Sequence, residues 1–188
     1  NTPFYGNLQE TFQVPFRWAG YNDGDCVGGY AIWAPDVIWN PYYEWEDGST
    51  GAYMLYCCTS STWRRSCISY LVSKTIDGTY TYVDTIVYSG FTKTGDPDGN
   101  SSRNTKWDND YLNLTALIGK GSEGGGIDEV SDSWFDAAGG WNNLYAPNAI
   151  DPNLFFDADG EKLFMSYGSW SGGLSCWSLT ARREKRFI

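Results

Sequence analysis

The sequence predicts an all-β protein made of short antiparallel strands joined by tight turns. Aromatic residues make up 18% of the 188 residues, and glycine occurs 22 times. Aromatic side chains favour strands, and glycine supplies the positive φ that tight turns need. Several runs alternate between apolar and polar residues, which is the pattern of a half-buried strand, and little of the chain has the period of an amphipathic helix. Together these observations predict an all-β fold with many turns.

The first half of the chain contains four predicted strands. They cover residues 30–39, 52–59, 66–73 and 80–88, and the first is predicted to be buried and bent at Pro35. Their spacing along the chain is that expected of a propeller, in which consecutive strands pair as antiparallel neighbours. We therefore expect one four-stranded antiparallel blade, of the kind that is repeated in a β-propeller.

A hairpin is predicted near the C-terminus. Residues 153–156 and 162–167 are apolar runs separated by Asp-Ala-Asp-Gly at 157–160. An Asp-Gly turn between apolar runs is a strong hairpin signal. Antiparallel pairing would bring Asp151 and Trp170 to the same end of this hairpin. A carboxylate and an indole suit sugar binding, because the carboxylate accepts hydrogen bonds from hydroxyls and the ring covers the apolar C–H face of a sugar.

Charge and composition exclude several classes of partner. The net charge of −10 argues against nucleic acid or an anionic membrane surface, but it would not repel a neutral polysaccharide. No apolar run approaches the length of a membrane span, and no signal peptide is recognised. The sequons at Asn100 and Asn113 fit a secreted protein. We therefore predict a secreted protein whose partner is a polysaccharide or oligosaccharide, with no nucleic acid and no membrane.

Three motifs carry a resemblance to a known family. They are Trp-Ala-Pro-Asp at 33–36, Asn-Ala-Ile-Asp-Pro at 148–152 and Tyr-Gly-Ser-Trp-Ser-Gly-Gly at 167–173. In this order they resemble glycoside hydrolase family 43, the arabinanase, arabinofuranosidase and xylosidase group, over residues 30–174. The resemblance implies a five-bladed β-propeller, which is incomplete in a chain of this length. It also implies an inverting glycosidase that acts on arabinose- or xylose-containing plant cell-wall polysaccharide, such as arabinan or xylan.

The same resemblance suggests roles for individual residues. Asp151 matches the family's third carboxylate, which tunes the pKa of the general acid and orients it. The general base and the general acid have no match in this sequence. Four further residues are predicted to contact the sugar, each with packing or turn stabilisation as its alternative: Trp33, Asn148, Ser169 and Trp170. Asp36 is predicted to be structural, bonding neighbouring backbone amides.

Metal and cofactor sites are not predicted. The sequence has no histidine and no Cys-x-x-Cys pair, so a zinc site is not expected. Members of the family often hold a calcium ion through a histidine, which this chain lacks. Residues 157–160 lack the other ligands of a calcium loop and fit a hairpin turn better. We predict no metal and no other cofactor.

Two other functional hypotheses compete with the glycosidase. The first is a non-catalytic carbohydrate-binding remnant, which would keep the aromatic platforms and lack the general acid and base. The second is a protein-interaction propeller of the WD or kelch type, which is disfavoured because neither repeat signature recurs.

The sequence also suggests how the chain is divided. Residues 1–174 are predicted to form the partial propeller domain. Residues 91–144 form a Gly/Ser/Asp-rich insertion that either shapes the cleft or is a solvated loop. Residues 175–188 are predicted to be an atypical basic tail, the sign of a truncated or mis-spliced end or of a solvated tail.

Disulfide pairing stays open at this stage. A secreted domain could pair Cys26, or Cys57 or Cys58, with Cys67. The count of five cysteines is odd, and Cys176 is the one expected to be unpaired.

Overall fold

The structure is a computed structural model that describes residues 7–19, 30–62, 65–93, 131–168 and 174–179. These residues form two antiparallel sheets, two short α-helices and one 3₁₀ turn. In chain order the elements are α1 (Leu8–Thr11), α2 (Gln13–Ala19), β1 (Ala31–Glu44), β2 (Thr50–Thr62), β3 (Arg65–Ser73), β4 (Thr81–Ser89), the 3₁₀ turn (Asp132–Trp134), β5 (Asn153–Phe156), β6 (Leu163–Tyr167) and β7 (Ser175–Leu179).

The first sheet confirms the predicted four-stranded blade. Its strand order is β1-β2-β3-β4, and every neighbouring pair is antiparallel. The expected bend in β1 is present as a register shift between Trp33 and Asp36, where Ala34 has a φ of 45°. The prediction that this strand is buried is wrong. Since β1 is an edge strand, it leaves Trp33, Val37 and Trp39 exposed.

The second sheet contains the predicted hairpin and one strand more. Strands β5 and β6 pair around the turn at 157–160, where Gly160 takes a φ of 74°. Strand β7 then pairs with β6, with Tyr167 opposite Ser175 and Leu163 opposite Leu179. The sheet thus continues into the segment assigned to the basic tail, because backbone pairing with β6 does not require alternating apolar side chains in β7. Residues 180–188 lie outside the described part of the chain.

The first sheet lies between the second sheet and the helices. One face packs on the second sheet through a core that includes Met54, Ile68, Leu163 and Met165. Strands β1 and β5, the first of each sheet, are in contact. The described sheets do not close into a ring. The fold is therefore all-β with the blades of an incomplete propeller, as predicted.

The two helices were not predicted, although the sequence contains their signal. Phe12, Pro15, Phe16 and Ala19 have the i, i+3, i+4, i+7 spacing of a helix face, and all four are buried. Phe12 and Phe16 pack on the other face of the first sheet. The aromatic composition favoured strands over this short helical period. Asn7 caps α1 by accepting a hydrogen bond from the Gln9 amide at 3.0 Å.

The proposed disulfides to Cys67 from the neighbouring strand are wrong. Cys57, Cys58 and Cys67, hereafter the buried thiols, are free, and so is the exposed Cys176. Cys58 pairs with Ile68 and Thr59 pairs with Cys67, so Cys58 and Cys67 point to opposite faces of the sheet. Cys57 shares a face with Cys67 but lies diagonally from it, farther than a disulfide allows. Cys26 lies outside the described residues.

Part of the predicted insertion is described. Residues 131–144 contain the 3₁₀ turn and an isolated bridge between Phe135 and Trp141. Residues 94–130, including both sequons, lie outside the description. Among the described helices, none is both long and apolar enough to cross a membrane.

Candidate functional site

Residues 148–152 form a loop that is fixed to the end of the first sheet. The Ser66 hydroxyl donates a hydrogen bond to the Ala149 carbonyl oxygen at 2.7 Å. The Ser89 hydroxyl donates to Asn148 Oδ1 at 3.1 Å and accepts from the Ala149 amide at 3.0 Å. All of these groups are buried, so the bonds have little competition from water. The first blade therefore determines where this loop lies.

Asp36 joins this loop region to the bend in β1. Its Oδ2 accepts a hydrogen bond from the Leu154 amide at 2.6 Å and one from Asn153 Nδ2 at 3.4 Å. Its Oδ1 accepts from the Val37 amide at 2.9 Å. A charged acceptor makes such bonds short and strong. Asp36 is thus structural, as predicted, and it also connects the first strands of the two sheets.

Asp151 stands exposed at the start of β5. Its φ is 52°, in the left-handed region that only a few non-glycine residues adopt, aspartate among them. The Gly168 amide, at the end of β6, donates to the Ile150 carbonyl oxygen at 2.8 Å. The residues on both sides of Asp151 are therefore fixed while its carboxylate remains accessible to a ligand.

The thiol of Cys58 lies between the two motifs. It donates to the Trp33 carbonyl oxygen at 3.4 Å and receives a hydrogen bond from the Asp151 backbone. Burial raises the pKa of Cys58 to about 12, and the nearby Asp151 carboxylate adds to this rise. The thiol stays neutral at physiological pH and serves as a spacer between Trp33 and Asp151. We name residues 33–36 and 148–152, with Cys58 between them, the corner.

The structure brings together some of the predicted site residues. Trp33 is 46% exposed and lies at the corner with Asp151. Asn148 is buried, and its side-chain oxygen accepts from Ser89, so it has the structural contact that was its alternative role. Ser169 and Trp170 lie outside the described residues. The roles of all five residues in catalysis or sugar binding stay predictions.

Sequence reasoning missed the supporting residues of the corner. These residues are Cys58, Ser66 and Ser89. They contact segments that are distant in the sequence, and the residues around them contain no pattern that predicts those contacts. Asp36 was recognised as structural, but its bond to Leu154, 118 residues away, was not. Among the described residues, no group of three or more cysteine or acidic side chains is placed to hold a metal ion.

Two open grooves lie away from the corner. One, of about 500 Å³, lies between the helices and Tyr30. The other, of about 400 Å³, lies beside Trp39 on the first sheet. Neither is lined by Asp151. The grooves and the exposed Asp151 carboxylate therefore lie at different places on the molecule. We take Asp151 as the better indicator of the main functional site, because strained backbone often occurs at functional sites.

The fold and the corner together define a class of protein. The two sheets are blades of an incomplete β-propeller, and the exposed Asp151 and Trp33 lie at the corner where their first strands are in contact.

Comparisons with known proteins identify relatives within that class. No protein-family model matches the chain. An extracellular endo-α-(1→5)-L-arabinanase of Thermotoga petrophila is 29% identical over 172 residues, which is 92% of this chain and 26% of the relative. The extracellular endo-α-(1→5)-L-arabinanase 2 of Bacillus subtilis is 26% identical over 174 residues, or 93% of this chain and 25% of the relative.

Solved structures agree with these relatives. The crystal structure of the Thermotoga petrophila endo-1,5-α-L-arabinanase in complex with TRIS matches with a TM-score of 0.55 and 28% identity, covering 96% of this chain and 29% of that one. A family 43 glycoside hydrolase from Bacillus licheniformis matches in fold, with a TM-score of 0.52 and 24% identity over 95% of this chain and 28% of its own.

The resemblance to glycoside hydrolase family 43 is confirmed, and it is partial. This chain spans about a quarter of the length of the curated arabinanases it matches.

Proposed function

We propose that this chain is part of a secreted glycosidase of the family 43 type that hydrolyses arabinan. The observation that carries the proposal is the corner: Asp151 is exposed on a left-handed backbone, and the Cys58 thiol contacts both the Asp151 backbone and the Trp33 carbonyl oxygen of the Trp-Ala-Pro-Asp bend. The similar proteins with known activity are extracellular endo-α-(1→5)-L-arabinanases. Arabinan is therefore favoured over xylan as the substrate, and secretion is favoured by the same relatives.

The proposed mechanism is inverting hydrolysis of an O-glycosyl bond. Such a reaction uses one carboxylic acid to protonate the leaving oxygen and one carboxylate to activate water. Asp151 has the third role, in which its negative charge raises the pKa of the general acid and holds that group in place. Trp33 would cover the apolar face of a sugar ring, and Asn148, Ser169 and Trp170 complete the proposed sugar contacts.

The test is reducing-sugar release from linear arabinan by this chain and by Asp151→Asn. Asparagine tolerates a positive φ, so this change removes the charge while keeping the backbone of the corner. Asp159→Asn is the matched control, because Asp159 is exposed and accepts no hydrogen bond from the described residues. Release by this chain requires a general acid and a general base among residues that the family's motifs do not identify. On that basis we expect release by the wild type and by Asp159→Asn, and a loss of about 100-fold or more in Asp151→Asn.

The alternative is a carbohydrate-binding remnant without catalysis. It is favoured by the sequence, in which the general base and general acid of the family have no match. The same proteins distinguish the two functions. Binding to insoluble arabinan with no release, unchanged in Asp151→Asn, would support the remnant. Release that is equal in wild type and Asp151→Asn would overturn the role of Asp151.

A further inference from the structure

We propose that Trp39 forms a second carbohydrate-binding platform, separate from the corner. Trp39 lies six residues after Trp33 on β1, which corresponds to roughly 20 Å along a strand. On β2, Trp39 pairs with Tyr53 and Trp33 pairs with Cys58. Tyr53 and Cys58 are five residues apart and so lie on opposite faces of the sheet, which places the two indoles on opposite faces as well. The two rings therefore cannot belong to one site. This inference takes only the kind of sugar from the proposed function.

The ring of Trp39 is supported from below by a residue without a side chain. Gly51 is its diagonal neighbour on β2, and a Cβ at Gly51 would lie 2.6 Å from Trp39 Cζ2 and 2.7 Å from Cη2. The six-membered ring of Trp39 thus lies against the backbone of Gly51, in the space that the side chain of any other residue at position 51 would occupy. Tyr53 contacts it from the side, with ring centroids 4.9 Å apart and an interplanar angle of 58°. The indole is held in one position and is still 44% exposed.

Polar groups surround this exposed ring. The groove of about 400 Å³ is lined by Trp39, Tyr53, Lys74, Thr75, Ile76 and Asp77. Asp77 accepts no hydrogen bond from the described residues and is exposed. The Lys74 ammonium donates to Asp47 at 2.6 Å and to Ser49 at 3.1 Å. An ammonium has three donors, and this one also lies over the Trp45 ring, 5.2 Å from the ring centroid, so it offers a ligand at most one donor.

The charges of the groove favour a neutral ligand rich in hydroxyls. Lys74 and Asp47 form an ion pair, and this ammonium, with Ser49, holds the pKa of the Asp47 carboxyl well below its usual range. The pair therefore remains ionised and self-compensated at neutral pH. The remaining carboxylate, on Asp77, accepts from hydroxyls and repels anions, as does a chain with a net charge of −10.

Size also favours a sugar over a protein partner. A stable protein interface buries on the order of 1,000 Å² or more, with a central cluster of apolar anchors. This groove offers one exposed indole and the exposed Ile76 within a volume of about 400 Å³. That volume suits one or two sugar rings, with an apolar C–H face on Trp39 and hydroxyls toward Asp77 and Lys74. The occupant we infer is a short segment of neutral arabinan chain.

Binding of linear (1→5)-α-L-arabino-oligosaccharides tests this inference. It is measured by calorimetry on the 188-residue chain carrying Asp151→Asn and Trp33→Ala, which remove two of the proposed corner contacts and prevent cleavage. In this background we expect residual binding that Trp39→Leu weakens about tenfold, because leucine keeps apolar bulk but no ring face. Trp39→Phe should retain most of the affinity, and Asp77→Ala should lose about threefold. Val37→Ala, an exposed apolar position on the same strand, is the control.

Several results would overturn the platform. Absence of binding in this background, or equal affinity in Trp39→Leu and Val37→Ala, would do so. Concentration-dependent self-association that Trp39→Leu abolishes, without sugar binding, would assign the surface to a protein contact instead. The outcome is independent of catalysis: a wild-type chain that does not hydrolyse arabinan, together with Trp39-dependent binding in the double variant, refutes the proposed function alone. Hydrolysis of arabinan by the wild type, together with Trp39-independent binding in the double variant, refutes the platform alone.

Discussion

Removing the Asp36 carboxylate should destabilise the contact between the two sheets. Asp36→Ala deletes the acceptor for the Leu154 amide at 2.6 Å and the acceptor for the Val37 amide at 2.9 Å. Leu154 is buried, so its amide would be left without this partner at the interface of the sheets. A hydrogen bond to a charged group is worth about 1.5 to 3 kcal/mol, and an orphaned buried amide costs a similar amount. We expect the free energy of unfolding to fall by about 2 to 3 kcal/mol.

Asp36→Asn separates the charge from the shape of the side chain. Its amide oxygen can still accept one of the two bonds, but at the strength of a neutral acceptor. The expected loss is therefore smaller, about 1 kcal/mol. Urea unfolding followed by circular dichroism measures all variants at constant pH, with Asp159→Asn as an exposed control that should stay within about 0.5 kcal/mol of wild type. A loss in Asp36→Ala no larger than that of Asp159→Asn would refute the view that Asp36 joins the sheets.

Three further predictions concern the hairpin turn, the buried thiols and the backbone of the corner. In the hairpin turn, hydrogen bonds from the Lys162 and Glu161 amides hold the pKa of the Asp157 carboxyl below its usual range. The stability that this carboxylate contributes is therefore present above its pKa in the unfolded chain, and it is lost as the pH falls through its pKa in the folded chain. Wild type should lose more melting temperature than Asp157→Asn between about pH 5 and pH 2, and parallel curves would contradict this. Burial raises the pKa of each of the buried thiols. Iodoacetamide at pH 8 should therefore label the exposed Cys176 and leave the buried thiols unmodified until the chain unfolds, which peptide mass mapping can check. Asp151→Gly should be about 1 to 2 kcal/mol more stable than Asp151→Ala in urea unfolding, because only glycine takes a φ of 52° without steric cost; equal stabilities would contradict a left-handed Asp151.

The strands could be predicted because their signals are local. The first blade shows alternating or apolar runs between short turns, and the hairpin shows an Asp-Gly turn, so pairing of neighbours follows from chain order. The bend of β1 was also predictable, since Pro35 cannot donate to a regular ladder. What failed was burial. Whether a strand lies at an edge depends on the whole sheet, and the exposure of Trp33 and Trp39 could not be deduced from their own sequence.

The corner was only partly predictable. Asp151 and Trp33 were identified from motifs, which indicate the related family but not the distances between side chains. The groups that fix the corner come from the centre and ends of the first blade: Ser66, Ser89 and Cys58 contact the loop or its neighbours across long sequence separations. Small buried hydroxyls and thiols carry no periodic signal, so their partners appear only once the sheets are packed.

The backbone of the corner is strained at two residues. Ala34 and Asp151 are the two non-glycine residues with positive φ among the described residues, at 45° and 52°. They lie on the two segments that contact the same thiol, Cys58. Glycine would adopt both conformations at lower cost, and strain of this kind amounts to about 1 to 3 kcal/mol per residue. At Ala34 the methyl group packs against the core between the two sheets. At Asp151 the side chain is an exposed carboxylate that accepts no hydrogen bond from the described residues. A strained, exposed charge stabilises a fold poorly, and this cost is the physical ground for the role toward a ligand that we propose for Asp151.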